Sequence, residues 1–104
     1  MNMYRQGDIL IVECSDPQGP FLEPIFGDNR GIVLAEGEVT GHCHAIPEVE
    51  VTAFGVMLRP ELVISPIDFT IVHPEHDTVR VPAGSYRIIP QREYDPFGDR
   101  MVMD

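Results

Sequence analysis

Nowhere in this 104-residue chain do ten consecutive residues pass without a glycine or a proline. Inside a helix Gly costs about 1 kcal/mol and Pro about 3 kcal/mol relative to Ala, and globular helices usually need at least that length. The longest clear stretch, Asp8 to Asp16, is nine residues and is rich in branched side chains that favour strands. Ten prolines and nine glycines, evenly spread, read as turns between many short strands. The expected fold is all-β with little or no helix: one small β-barrel or double-sheet sandwich spanning residues 1–104.

A chain of this size buries between about 60% and 70% of its unfolded surface, enough for one modest core. Hydrophobic residues at 43% and charged residues at 23% are ordinary for a folded globular domain. The N-terminus lacks a basic stretch followed by an apolar run, and no 18 apolar residues occur together, so the expectation is a cytoplasmic protein with no membrane span. In that compartment Cys14 and Cys43 stay reduced, as small apolar side chains more than as ligands. Seventeen acids face seven arginines and no lysine, a net charge of −10. Without a basic stripe to displace counterions, direct nucleic-acid binding is not expected.

Along the chain, Gln6-Gly7-Asp8 reads as a turn feeding a central strand Ile9-Leu10-Ile11-Val12. Residues 16 to 31 read as a long loop with one short strand near Phe21-Leu22, its apolar members Phe21, Leu22, Ile25 and Phe26 lidding one end. Further strands are expected at 32–35, 42–46, 48–54 (alternating, with a bend or bulge at Gly55), 61–65, 67–73, 79–81 and 86–92. Pro90 confines the second half of the last one to an edge or bulge. His73 to Asp77 reads as a tight polar turn. The tail from Tyr94, with residues 95–104 as a docking segment, carries aromatic and apolar residues suited to packing on the domain or a second subunit.

Chemistry concentrates in Gly37-Glu38-Val39-Thr40-Gly41-His42-Cys43-His44-Ala45-Ile46-Pro47-Glu48. Histidines two positions apart point the same way only in a strand, where the side-chain period is two. Two convergent imidazoles beside a carboxylate suit a divalent metal such as Zn, Fe, Mn or Ni. His73 shares a face with Phe69 and Ile71, so it closes an inward-looking row. His42 and His44 are thus the first ligand candidates, with Glu48 and His73 beside them; two hydrogen-bonded barrel histidines and one more surface acid are the plainer alternative.

Gly37, His42-Cys43-His44, Glu48 and Gly55 resemble the first motif of the cupins, with the first gap four residues instead of five. The resemblance implies a small double-sheet barrel with a metal inside one end, held by His42, His44 and Glu48. Pro82-Ala83-Gly84 is similar to the turn of the second cupin motif. There, however, His76 stands at the family's glycine and Arg87 at its fourth ligand, and arginine cannot coordinate a cation. Either His73 or His76 completes the site, or Arg87 and His76 contact an anion or substrate.

Two functions follow as expectations. One is a mononuclear metal-binding barrel that acts on or senses a small molecule, often a homodimer in cupin-like domains; enzyme and binding protein both stay open. The other is a non-enzymatic acidic interaction protein, a regulator or inhibitor of the kind phages and mobile elements encode, whose carboxylates meet a basic protein partner and whose histidines are structural.

Overall fold

The computed structural model describes residues 2–15, 22–36, 42–56 and 59–90. Among them the chain forms ten strands: β1 (Met3–Gln6), β2 (Ile9–Glu13), β3 (Glu23–Ile25), β4 (Ile32–Glu36), β5 (Cys43–Ile46), β6 (Thr52–Val56), β7 (Arg59–Ser65), β8 (Phe69–His73), β9 (His76–Val81) and β10 (Gly84–Pro90). They assemble into two antiparallel sheets, ordered β1-β2-β10-β7-β6-β3 and β4-β5-β8-β9. The architecture is a small double-sheet sandwich, and the described residues include no helix long and apolar enough to cross a membrane.

The alternation of inward apolar and outward polar residues explains the packing. Ile9 and Ile11 of β2, Ile46 of β5, Val63 of β7, Phe69 and Ile71 of β8, Val81 of β9 and Tyr86 and Ile88 of β10 form one core. Fully burying each such side chain contributes roughly 1.5–3 kcal/mol, so these inner rows dominate the stability. Tyr86 keeps its polar end satisfied by donating its hydroxyl to the Pro82 carbonyl at 2.8 Å. β1 lies against β9 and brings the two sheets together along one side.

The structure adds a strand to the sequence reading and moves others. β1 is short and mostly exposed, and its four residues pair with β2 through a two-residue loop, Gly7-Asp8. Such loops take a left-handed residue, and Gly7 supplies it with φ 59°. Val49 and Glu50 are in a turn instead of a strand: the Val51 N–H donates back to the Glu48 carbonyl, and Val49 is 90% exposed. The expected strand at 48–54 therefore begins at Thr52, while the irregularity at Gly55 is present as a register shift against β7. In the long loop, the short strand sits at Glu23–Ile25; Ile25 packs on the core but Phe26 is 87% exposed, so it does not lid it. Phe21 and the tail from residue 91 lie outside the described residues. Pro90 pairs with Ile9 of β2, past the Arg87–Leu62 pair where the β7 ladder ends, and so lies on a one-sided stretch where its missing N–H is tolerated.

Ile71 is fully buried between the sheets. Replacing it with Ala is expected to destabilise the fold by about 2–5 kcal/mol in urea unfolding; a loss well under 1 kcal/mol would contradict this account of the core.

Candidate metal centre

Four inner rows run out of the core and end in polar side chains at one end of the sandwich. On β5 the row of Ile46 continues to His44 and then His42; on β8 that of Phe69 and Ile71 continues to His73. Val81 and Val79 of β9 lead to His76, with a register irregularity between, and Tyr4 of β1 leads to Gln6. The pairing of Ala45 with Val72, continued by one residue, sets His44 beside His73, and His73 pairs with His76. All four histidines of the chain are thereby collected. Ring centroids are 4.4 Å apart for His44 and His73, 4.6 Å for His73 and His76, 5.7 Å for His44 and His76, and 6.0 Å for His42 and His73.

His44 is the fixed member. It is 4% exposed, and its Nδ1 lies 2.8 Å from the Oε1 of Gln6, itself buried. The Gln6 amide has one orientation, because its Nε2 donates to the Ile71 carbonyl at 2.7 Å and the Asp77 carbonyl at 2.9 Å. Its oxygen is therefore left to accept, and His44 Nδ1 must carry the proton. The other ring nitrogen, Nε2, faces the Asp8 carboxylate at 3.2 Å. In the neutral ring that nitrogen is a lone pair pointed at a carboxylate oxygen, a repulsive arrangement that a shared cation removes.

A proton on Nε2 is one such cation, but the surroundings resist it. Burial, and next the His73 charge, hold the His44 imidazole below its ordinary value of 6.5, with Asp8 pulling the other way. His73 is also lowered, by burial and then by His76 and His42. Its Nδ1 accepts the Glu75 backbone N–H at 3.0 Å, so its neutral form carries the proton on Nε2. His42 lies at the rim, its Nδ1 3.5 Å from a Glu75 carboxylate oxygen. His76 is exposed, with its Nε2 against the β1–β2 loop: a Cβ on Gly7 would stand 2.7 Å from it.

The structure thus brings together His42, His44, His73 and His76, and not the other candidates. Both carboxylate oxygens of Glu48 are engaged by Thr70, one by its backbone N–H at 3.0 Å and one by its hydroxyl at 2.8 Å. Thr70 alternates with the core residues Phe69 and Ile71, so this anchors the β5–β6 loop to β8 away from the inner row. Arg87 is exposed between the buried Tyr86 and Ile88, on the opposite face of β10 from the core. His76, expected in a turn, instead opens β9. Asp8 and Gln6 join this cluster without being singled out by the sequence: the turn at 6–8 is readable, but nothing in it announces where it docks.

Among the described residues, no three His, Cys, Asp or Glu donors already stand as a metal-ligating set. The His73 Nδ1 lone pair is moreover committed to the Glu75 N–H. Asp8 and His76 are exposed, whereas His44 is buried and held by Gln6. Separately, a cleft of about 360 Å³ lies at the far end of β5, walled by Ile25, Ile32, Pro47 and Val51 and edged by the exposed Phe26 and Val49. It contains no histidine.

A family model described as a domain of unknown function, DUF8820, matches residues 5–91, which include every residue of this cluster. The chain belongs to that family. No curated protein and no solved structure matches it.

Removing the Gln6 amide leaves the His44 Nδ1–H and the carbonyls of Ile71 and Asp77 without their partner. Gln6→Ala should cost about 1–3 kcal/mol in denaturant unfolding; a neutral substitution would contradict the bonding described. For pH, the lowered folded values of His44 and His73 mean that the unfolded chain takes up protons first as pH falls. The stability due to the neutral rings is complete above about 6.5 and is lost as pH drops through the folded values. Metal-free protein should therefore unfold at lower urea at pH 5 than at pH 7.5, and a His44→Gln/His73→Gln variant should show a smaller difference. Equal pH dependence in both proteins would refute it.

Proposed function

We propose that this DUF8820 protein is a divalent-metal-binding β-sandwich whose site lies at the histidine end of the core. The observation that carries the reading is the His44 Nε2 lone pair held toward the Asp8 carboxylate by the Gln6 amide on the other side of the ring. Metal-ligating histidines commonly donate their second N–H to a carbonyl or carboxylate, which fixes tautomer and ring orientation. His76 and His42 lie in the same cluster as candidate further nitrogen donors, His73 standing between them with its Nδ1 lone pair already engaged by Glu75. The mixed nitrogen and oxygen set suits Zn, Fe, Mn or Ni. Bound there, such an ion supplies Lewis acidity and a bound water of lowered pKa to a small-molecule ligand. The likeness to cupins supports the general placement, a metal near one end of a double sheet, with Asp8 in place of Glu48 as the carboxylate.

A second reading, an acidic protein that binds a basic, partly apolar peptide, is favoured by the cleft beside Phe26 and Val49 and by the net charge of −10. Binding of that kind weakens steeply with salt and is lost in Val49→Asp.

Elemental mass spectrometry of untagged protein purified without chelator tests the first reading. Close to one equivalent of a transition metal is expected, falling at least tenfold in His42→Ala/His44→Ala with the fold intact by circular dichroism. Metal-free protein that also takes up no zinc, cobalt or iron on titration would overturn it.

A further inference from the structure

We infer that residues 91–104 of this chain pack on the outer face of the six-stranded sheet, their apolar side chains covering it and their carboxylates meeting Arg5 and Arg87. An antiparallel sheet with one face on a core normally turns polar side chains outward. This one does not. The register sets Met3, Val12, Arg87, Leu62, Phe54 and Pro24 side by side in one row across all six strands. Each is next in sequence to a residue that packs in or on the core, so the row lies on the opposite face. The neighbouring row holds Arg5, Leu10 and Ile89. Leu62 is 4% exposed although it lies outside the core cluster, so water is excluded at the centre of this face, while Met3 and Ile89 still meet it at 63% and 36%.

A contiguous apolar patch on a sheet face is a place of contact, and three observations select its occupant. The first is position. β10 is the third of the six strands, and its last residue, Pro90, comes three positions after Arg87. The second is length. Fourteen residues follow Pro90, and extended they reach roughly 49 Å at most, whereas the row spans five strand spacings, about 24 Å. The third is chemistry. Tyr94, Phe97, Met101, Val102 and Met103 supply apolar surface, and Glu93, Asp95, Asp99 and Asp104 supply carboxylates in excess of Arg92 and Arg100. The charged members of the two rows are both arginines, in a chain of net charge −10. Two copies meeting through this face would bring those arginines together, and like-charge juxtaposition disfavours that dimer.

Methyl NMR with a soluble gadolinium chelate tests this, because the chelate speeds relaxation of methyl groups that face solvent. In a chain shortened to end at Pro90, the methyls of Leu10, Val12, Leu62 and Ile89 should relax several-fold faster than in the full chain, with those of Ile11 and Ile71 unchanged. In the full chain, the methyls of Met101, Val102 and Met103 should show nuclear Overhauser contacts to that face. Arg5→Glu/Arg87→Glu in the full chain should expose the same methyls in part, more at low salt than at high. Both substitutions are on the surface, so this variant decides the question if the shortened chain does not fold. Equal relaxation in the full and shortened chains would overturn the proposal, and unchanged protection in the charge variant would overturn the role given to the arginines. Contacts seen between labelled and unlabelled copies in a mixed sample would overturn it in favour of a second copy.

Discussion

The amide of Gln6 is the constraint on which the polar end of this molecule depends. Its nitrogen donates to the backbones of β8 and of β9, and its oxygen accepts from β5, so one side chain from β1 ties together the strands that carry the histidines. Each of these bonds contributes only about 1 kcal/mol net, but leaving their buried partners unmade costs more. The consequence is directional: His44 has no choice of tautomer. Its lone-pair nitrogen is turned to the loop where Asp8 sits.

The rest of the sandwich places that constraint. Apolar rows on β5, β8, β9 and β1 fill the core and then, in the last one or two inward positions, turn polar. A core normally ends in side chains that face water or pack on a loop. Here it ends in four imidazoles at 4.4–6.0 Å spacing, where burial first and then the neighbouring histidines disfavour protonation of His44 and His73. Neutral His44 and His73 rings beside the Asp8 carboxylate are the feature on which the proposed metal reading rests. Outward positions have separate work: Glu48 fastens a loop to β8 through Thr70, and Asp28 pairs with Arg30 in the β3–β4 connection.

Much of this was legible in the residues, and the reasons it stopped are physical. The even spacing of Gly and Pro disfavours helices, and short apolar runs bounded by turn residues placed β2, β4, β5 and β8 closely. The inward face of His73 followed from its period with Phe69 and Ile71. What local pattern cannot supply is long-range docking. β1 is four residues long with a mostly exposed pattern, so only its pairing with β2 and its packing on β9 make it a strand. Gln6 and Asp8 acquire roles because that hairpin folds over residues 36 to 71 positions away. Motif spacing pointed to Glu48 and Arg87 for the same reason in reverse: spacing fixes strand position but not the face presented. Arg87 alternates with the buried Tyr86 and Ile88, and so points outward.

The most direct measurement is the tautomer of His44 by two-bond proton–nitrogen NMR of metal-free protein at pH 7.5, followed through a zinc titration. The account predicts a neutral ring protonated on Nδ1, with the Nε2 resonance alone moving to a metal-bound position as zinc is added. A ring protonated on Nε2, or one whose two nitrogens are both indifferent to zinc, would contradict it.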